Sequence, residues 1–138
     1  DGIAMDKKSL AILSEGLQSE YRARAIYRAA LDRFGEVVPF VHLAETCERQ
    51  IDALRQLHQR NRIEPPEDRW MGQIELPQTL EQARLDAIAA ESETADACER
   101  LLDEVDDPVA RMMLSQLEEA SRYQRLPLLG QSRERRDA

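Results

Sequence analysis

The chain has 138 residues and a mass of 15.8 kDa, which is the size of one domain with one sizeable core. Its 19 Lys and Arg residues against 27 Asp and Glu residues give a net charge of −8. A surface this acidic repels phosphate groups, which argues against nucleic acid and against an anionic membrane as binding partners. Five glycines, six prolines and 4% aromatic residues, beside 33% charged residues, favour helices over strands.

The first half of the chain predicts two long amphipathic helices joined by a short turn. The first helix begins after Asp6, a good N-cap residue, and its apolar residues recur at spacings of three and four until Phe34, where Gly35 ends it. The second helix opens at Pro39, a residue favoured in first turns, and runs to about Asn61. Because the connection is short, the two helices are expected to form an antiparallel hairpin.

The second half repeats this pattern after a long irregular segment. Residues 62–78 contain three prolines and show no helical period, which indicates a crossover rather than a linker between domains. Thr79 caps a third helix, and Asp107 and Pro108 cap and start a fourth. The charged residues 131–138 predict a flexible C-terminal tail.

The connection lengths indicate how the four helices are arranged. Two hairpins joined by one long connection are the ferritin-like version of the four-helix bundle, whereas bundles with only short loops have another topology. We therefore predict that residues 1–130 form a single all-α, antiparallel bundle of this type.

Two carboxylates interrupt the apolar helix faces that should point into the core. Glu20 lies on the first helix and Glu91 on the third, at comparable depth. In ferritin-like di-iron proteins two helices each donate one Glu, and the other two each donate a Glu-x-x-His pair. The pattern therefore indicates either residual metal ligation by Glu20 and Glu91 or a buried ion pair, for which Arg24, one turn from Glu20, is the expected partner.

A series of short motifs follows in a fixed order between about residues 10 and 130. The motifs are Glu20-Tyr21-Arg22-Ala23-Arg24-Ala25-Ile26-Tyr27, Phe34-Gly35, Pro39-Phe40, Ala44-Glu45-Thr46-Cys47-Glu48-Arg49-Gln50-Ile51-Asp52-Ala53-Leu54, Pro65-Pro66, Trp70, Ala90-Glu91-Ser92-Glu93, Arg100-Leu101-Leu102, Asp107-Pro108 and Ala120-Ser121-Arg122. Together they resemble a rubrerythrin-related, ferritin-like family of unknown function. The resemblance implies a Glu-x-x-His pair on the second helix and a further histidine on the fourth.

This chain departs from that pattern at each histidine position. The expected Glu and His of the second helix are replaced by Cys47 and Gln50, and the fourth helix offers Gln124 or Arg125. We interpret Gln50 and Gln124 as polar replacements that can hydrogen-bond across the core in place of metal–histidine contacts.

The count of histidines leads to the same conclusion without any alignment. The chain has two, His42 and His58, and the residues three before them are Pro39 and Arg55. No Glu-x-x-His pair exists, so a standard ferroxidase or di-iron oxidase site is not expected. His42 and His58 are instead expected to be partly exposed or capping residues.

Further carboxylates and two thiols are the remaining candidate ligands. Glu45, Glu48 and Glu93 flank the inward faces, either as substitute ligands or as parts of a solvated face. Cys47 and Cys98 lie on inward faces, where they could bind a soft metal, form a redox pair, or serve as two small buried apolar groups.

Three functions are compatible with these residues. The first is a ferritin-like protein with a degenerate carboxylate site, in which Glu20 and Glu91, aided by Glu48 or Glu45, bind iron weakly or not at all. The second is a metal-free structural or interaction module. The third is a di-iron oxidoreductase similar to rubrerythrin but with unusual ligands. The resemblance also implies a homodimer that pairs through the first two helices.

Overall fold

The computed structural model describes the backbone of residues 5–137 and the side chains of residues 5–131. Every regular element in this part of the chain is helical. The elements are α1 (Lys7–Phe34), α2 (Phe40–Arg60), α3 (Leu80–Leu102), α4 (Pro108–Glu119), a π-helical segment (Ala120–Arg125) and α5 (Leu126–Asp137).

Local capping interactions fix the helix ends where the sequence predicts them. The side chains of Asp6, Thr79 and Asp107 each accept a hydrogen bond from the backbone N–H three residues further on, at 2.7, 3.0 and 2.9 Å. These bonds satisfy donors that the first helical turn would otherwise leave free. Gly35 has a φ of 85°, a conformation that glycine adopts without strain, and there the chain leaves α1.

The helices form two hairpins packed around one core. Ser14 contacts His58 and Arg24 contacts Glu48, so α1 and α2 run antiparallel. α1 packs against both α2 and α3, and α3 packs against α4, so the prediction of a four-helix bundle with one long crossover is confirmed. The largest fully buried side chains of this core are Arg125, Tyr21, Tyr27, Leu13, Leu17, Leu43, Ile51, Leu54, Leu101, Leu114, Leu117 and Leu129.

The crossover between α2 and α3 lies across α1. Tyr21 donates a hydrogen bond from its hydroxyl to the carbonyl oxygen of Pro66 at 3.0 Å, and Gln18 donates to that of Glu67 at 3.2 Å. Asp68 accepts a 2.7 Å hydrogen bond from the Arg24 guanidinium. The irregular segment is therefore bound to the bundle, as expected of a crossover within one domain.

A wide helical turn separates α4 from α5. The backbone N–H of Leu126 bonds to the carbonyl of Ser121, five residues back, instead of the residue four back. Pro127 follows immediately, and in a regular α-helix its ring would collide with the carbonyl of Tyr123. The π-helical turn adds one residue to the helical period, which changes which side chains point inward beyond residue 120.

The last helix follows the π-helical turn. Leu129 anchors its first turn in the core, and its backbone is helical to Asp137. The flexibility of residues 131–138 stays a prediction. Across residues 5–137, no helix combines the length and the apolar character needed to cross a membrane.

Candidate functional site

The two inward carboxylates meet a buried guanidinium in the middle of the bundle. Glu20 and Glu91 are both 0% exposed, and Arg125 is 1% exposed. The Arg125 Nη2 atom lies 2.7 Å from Glu20 Oε1, and its Nη1 atom lies 2.9 Å from Glu20 Oε2, so this pair is bidentate. Nη1 also lies 3.3 and 3.4 Å from the two oxygens of Glu91. We call these three residues the buried ion cluster.

Two hydroxyl groups complete the hydrogen bonding of Glu91. The Ser121 hydroxyl donates to Glu91 Oε1 at 2.7 Å, and the Tyr27 hydroxyl donates to Glu91 Oε2. One guanidinium cannot neutralise two carboxylates, so these donors stabilise the second negative charge in a region that excludes water. Each oxygen of Glu91 therefore has a hydroxyl donor in addition to Arg125.

Burial and charge shift the pKa values of the cluster in defined directions. Burial raises the pKa of Glu20, opposed by the positive charge and hydrogen bonds of Arg125. Burial alone would lower the pKa of Arg125. The negative charge of Glu20 has the larger, opposite effect, so the pKa of Arg125 is raised above its usual value and this side chain stays a cation. The pKa of Tyr27 is well above its usual value, because the ring is buried and faces the negative charge of Glu91. Tyr27 therefore remains a hydrogen-bond donor.

The π-helical turn brings Arg125 to this position. With α-helical spacing, the inward face of the fourth helix would run from Leu117 and Ala120 to Gln124 and Leu128. In the structure, Ser121, Arg125 and Leu129 are buried instead, whereas Gln124 and Leu128 are exposed. The inward positions after Ala120 are shifted by one residue. Arg125, the alternative to Gln124 at the expected histidine position, is thus the residue that faces the carboxylates.

The remaining acidic candidates lie elsewhere. Both oxygens of Glu48 accept from Arg24 Nη1 at 3.1 Å, and Oε1 also accepts from Arg28 at 2.6 Å. Glu45 is exposed, and Glu93 is a surface partner of Arg22. The prediction that Arg24 is the partner of Glu20 is wrong, because the Arg24 side chain bonds with Glu48 and Asp68 between α1, α2 and the crossover.

The polar residues of α2 also differ in their surroundings. Gln50 is half-buried, and His42 is exposed as expected. His58 is completely buried, so the prediction of a partly exposed histidine is wrong for this residue. Its Nε2 atom is 2.9 Å from the Ser14 hydroxyl, and its Nδ1 atom is 2.8 Å from the carbonyl oxygen of Leu54. These bonds provide partners for both ring nitrogens inside the core.

Both cysteines are buried free thiols. Burial raises the pKa of Cys47 well above its usual value, and the negative charge of Glu20 adds to this effect. Burial raises the pKa of Cys98 to about 12. Because a thiolate is the form that binds metal or attacks a disulfide, the two side chains behave as small apolar groups at neutral pH.

A di-iron centre does not fit these residues. Such a centre needs four carboxylates and two imidazoles around two cations, whereas here the guanidinium of Arg125 lies against both available carboxylates. Among the residues whose side chains the structure describes, no group of three or more His, Cys, Asp or Glu residues is arranged to hold a metal ion. The cation that contacts both Glu20 and Glu91 is the guanidinium of Arg125.

Two antiparallel hairpins, one long crossover and a pair of facing carboxylates in the core define a ferritin-like four-helix bundle. Among solved structures, that of Mycobacterium tuberculosis bacterioferritin, BfrA, matches this chain with a TM-score of 0.77 and 17% sequence identity. The match covers 98% of this chain and 89% of the bacterioferritin chain. At this identity the likeness establishes the fold. No protein-family model matches the sequence, and no curated protein matches it.

Proposed function

We propose that this protein is a ferritin-like bundle in which an internal arginine takes the place of metal, and that it acts as a metal-independent structural or interaction module. The observation that carries this proposal is the position of Arg125, which forms a bidentate pair with Glu20 and also contacts Glu91. The cation is covalently part of the chain and is present whenever the bundle is folded.

The energetics of the buried ion cluster oppose its replacement by a metal ion. A divalent cation that binds Glu20 and Glu91 must displace Arg125 and leave its guanidinium without partners in the core. Separating a buried ion pair in this way costs about 3–5 kcal/mol. Two carboxylates without histidines offer a divalent transition metal little to offset that cost, since imidazole is one of its preferred ligands.

The alternative metal-binding proposals need larger rearrangements. A weak iron site aided by Glu48 requires that this residue leave Arg24 and Arg28, and one aided by Glu45 requires an exposed side chain to enter the core. A di-iron oxidoreductase similar to rubrerythrin would have to replace both missing histidines. A homodimer that pairs through α1 and α2 is compatible with a metal-independent module and with a metal-binding protein, and it remains a proposal.

Iron content and thermal stability together test the proposal. The protein is purified without chelator, incubated anaerobically with Fe(II), desalted, and analysed by plasma mass spectrometry beside a Glu20→Gln/Glu91→Gln variant. These substitutions keep the shape of both side chains and remove their charge. We expect iron at background in both proteins and no change in melting temperature with Fe(II) or with chelator.

Two other results would contradict the proposal. Near two irons per chain, lost in the variant, would support the oxidoreductase. A melting temperature that rises with Fe(II) concentration in the wild type alone would support a weak carboxylate site, because a ligand that binds only the folded state stabilises it in proportion to RT ln(1 + [L]/Kd).

A further inference from the structure

The negative charge of the protein is concentrated in one half of the bundle. Residues 80–125, which form α3, α4 and the π-helical segment, contain 12 acidic and five basic residues and so carry −7 of the net charge of −8. Residues 1–79 contain 13 acidic and 11 basic residues and carry only −2, and residues 126–138 carry +1. We call residues 80–125 the C-terminal hairpin. Any partner that approaches it meets a strongly negative surface.

Large apolar side chains are exposed on the same hairpin. Val109 is 43% exposed, Met112 is 51% exposed and Tyr123 is 70% exposed. Positions 109, 112, 116 and 119 are spaced by three and four, so they follow one side of α4, and Tyr123 lies in the π-helical segment that continues this helix. Gln116 and Glu119, between the apolar residues, are exposed as well. The exposed side of α4 and the π-helical segment together therefore present apolar and polar side chains to solvent, and we call this surface the stripe.

Carboxylates in excess of their basic partner lie at the Tyr123 end of this stripe. Arg122, next to Tyr123, lies 3.5 Å from Asp96, 3.4 Å from Glu99 and 3.3 Å from Glu118. One guanidinium shared by three carboxylates leaves two negative charges on this part of the surface. The side chains of Asp96 and Glu99 are mostly exposed, so these charges are available to a partner.

We infer that the outer face of the C-terminal hairpin, formed by Val109, Met112 and Tyr123 with Asp96 and Glu99 around Arg122 at one end, binds a basic amphipathic helical segment of a partner protein. Apolar residues of such a segment pack on the stripe, and its lysines or arginines pair with the bordering carboxylates. A second copy of this chain is a poorer occupant. A symmetric dimer through this face would bring two hairpins of charge −7 together, and like charges across an interface oppose binding. The inference rests on the proposed role as an interaction module.

Fluorescence anisotropy with designed peptides tests this inference. The probe is a labelled peptide of leucine and lysine arranged as an amphipathic helix. Its controls are a peptide of the same composition in scrambled order and an amphipathic peptide with glutamate in place of lysine. We expect the first peptide to bind at least about tenfold more tightly than either control, because only it matches both the apolar stripe and the charge. Chelator is present throughout, so the result is independent of the iron measurement.

Matched variants locate the binding face. Met112→Ser/Tyr123→Ser should weaken peptide binding by about tenfold or more, whereas Val38→Ser/Leu76→Ser, which removes exposed apolar side chains elsewhere, should leave it within about twofold. Asp96→Asn/Glu99→Gln should weaken binding more than Glu15→Gln/Glu36→Gln, which makes the same change of charge on residues 1–79.

Three results would overturn the inference. Equal binding of the ordered and scrambled peptides would mean that charge alone attracts them. Equal effects of the two serine variants would place the peptide elsewhere. Sedimentation that shows self-association of the wild type, abolished by Met112→Ser/Tyr123→Ser, would make a second copy the occupant of this face. Because all substituted residues are at the surface, far-ultraviolet circular dichroism should show unchanged folding in each variant.

Discussion

Replacement of Arg125 by methionine tests how much the buried ion cluster contributes to folding. The substitution keeps a long side chain but removes a guanidinium that makes hydrogen bonds of 2.7 and 2.9 Å to Glu20 and longer ones to Glu91. Two carboxylates that are both 0% exposed then lack their counter-ion. We expect a loss of about 3–5 kcal/mol in the free energy of unfolding at pH 7. For a domain of this size, that corresponds to a fall of roughly 10–20 °C in melting temperature.

The measurement is urea unfolding followed by circular dichroism, with linear extrapolation to water. The control is the triple variant Arg125→Met/Glu20→Gln/Glu91→Gln, in which no charge remains in the cluster. We expect it to recover most of the lost stability, because removing all charges from a buried cluster is far less costly than leaving some unpaired. A loss under about 1 kcal/mol for Arg125→Met, or a triple variant no more stable than the single one, would refute the reasoning.

Three further predictions concern pH, thiol chemistry and capping. Because the folded-state pKa of Glu20 is raised, the folded protein binds a proton more tightly than the unfolded chain, and the free energy of unfolding should fall as pH rises from 4.5 through the folded-state pKa. In Glu20→Gln the free energy of unfolding should change less with pH over this range, which urea unfolding at several pH values between 4 and 8 measures. An unchanged pH dependence would contradict the raised pKa. Cys47 and Cys98 should resist Ellman's reagent at pH 8 in the native protein and react promptly in denaturant, since both pKa values are raised by burial, that of Cys98 to about 12. Rapid native labelling would refute this. Asp107→Ala should cost about 1 kcal/mol of stability by removing the cap of α4, and a neutral effect in urea unfolding would show that the cap is dispensable.

The sequence contains enough information to predict the scaffold. Periodic apolar residues and the capping residues Asp6, Thr79 and Asp107 locate the starts of the helices to within a residue or two, because these signals act over one or two turns. Glu20 and Glu91 can likewise be assigned to the core, since each interrupts an apolar face. Both signals are local, and a single sequence reveals them.

The partner of these carboxylates could not be predicted by the same reasoning. Arg125 is 105 positions from Glu20, and its burial depends on the extra residue of the π-helical turn. A regular α-helical period predicts that Gln124, and not Arg125, faces the two carboxylates. The available signal was Pro127, which is incompatible with a regular turn before it. Arg24 looks like the partner from its spacing, but its long side chain reaches Glu48 and Asp68, and Asp68 lies on a crossover without any period.

The way in which the crossover is attached to α1 affects how its sequence can change during evolution. Pro66 and Glu67 are bound through their carbonyl oxygens, which every amino acid possesses. Asp68 differs, because its carboxylate contacts Arg24 and also accepts hydrogen bonds from the backbone of Trp70 and Met71. Substitutions at 67 can therefore accumulate while the path of the chain is kept, whereas a change at 68 would remove the ion pair with Arg24 and the side-chain acceptor of two backbone N–H groups. Homologues with this crossover should vary at position 67 and retain an acidic residue at position 68.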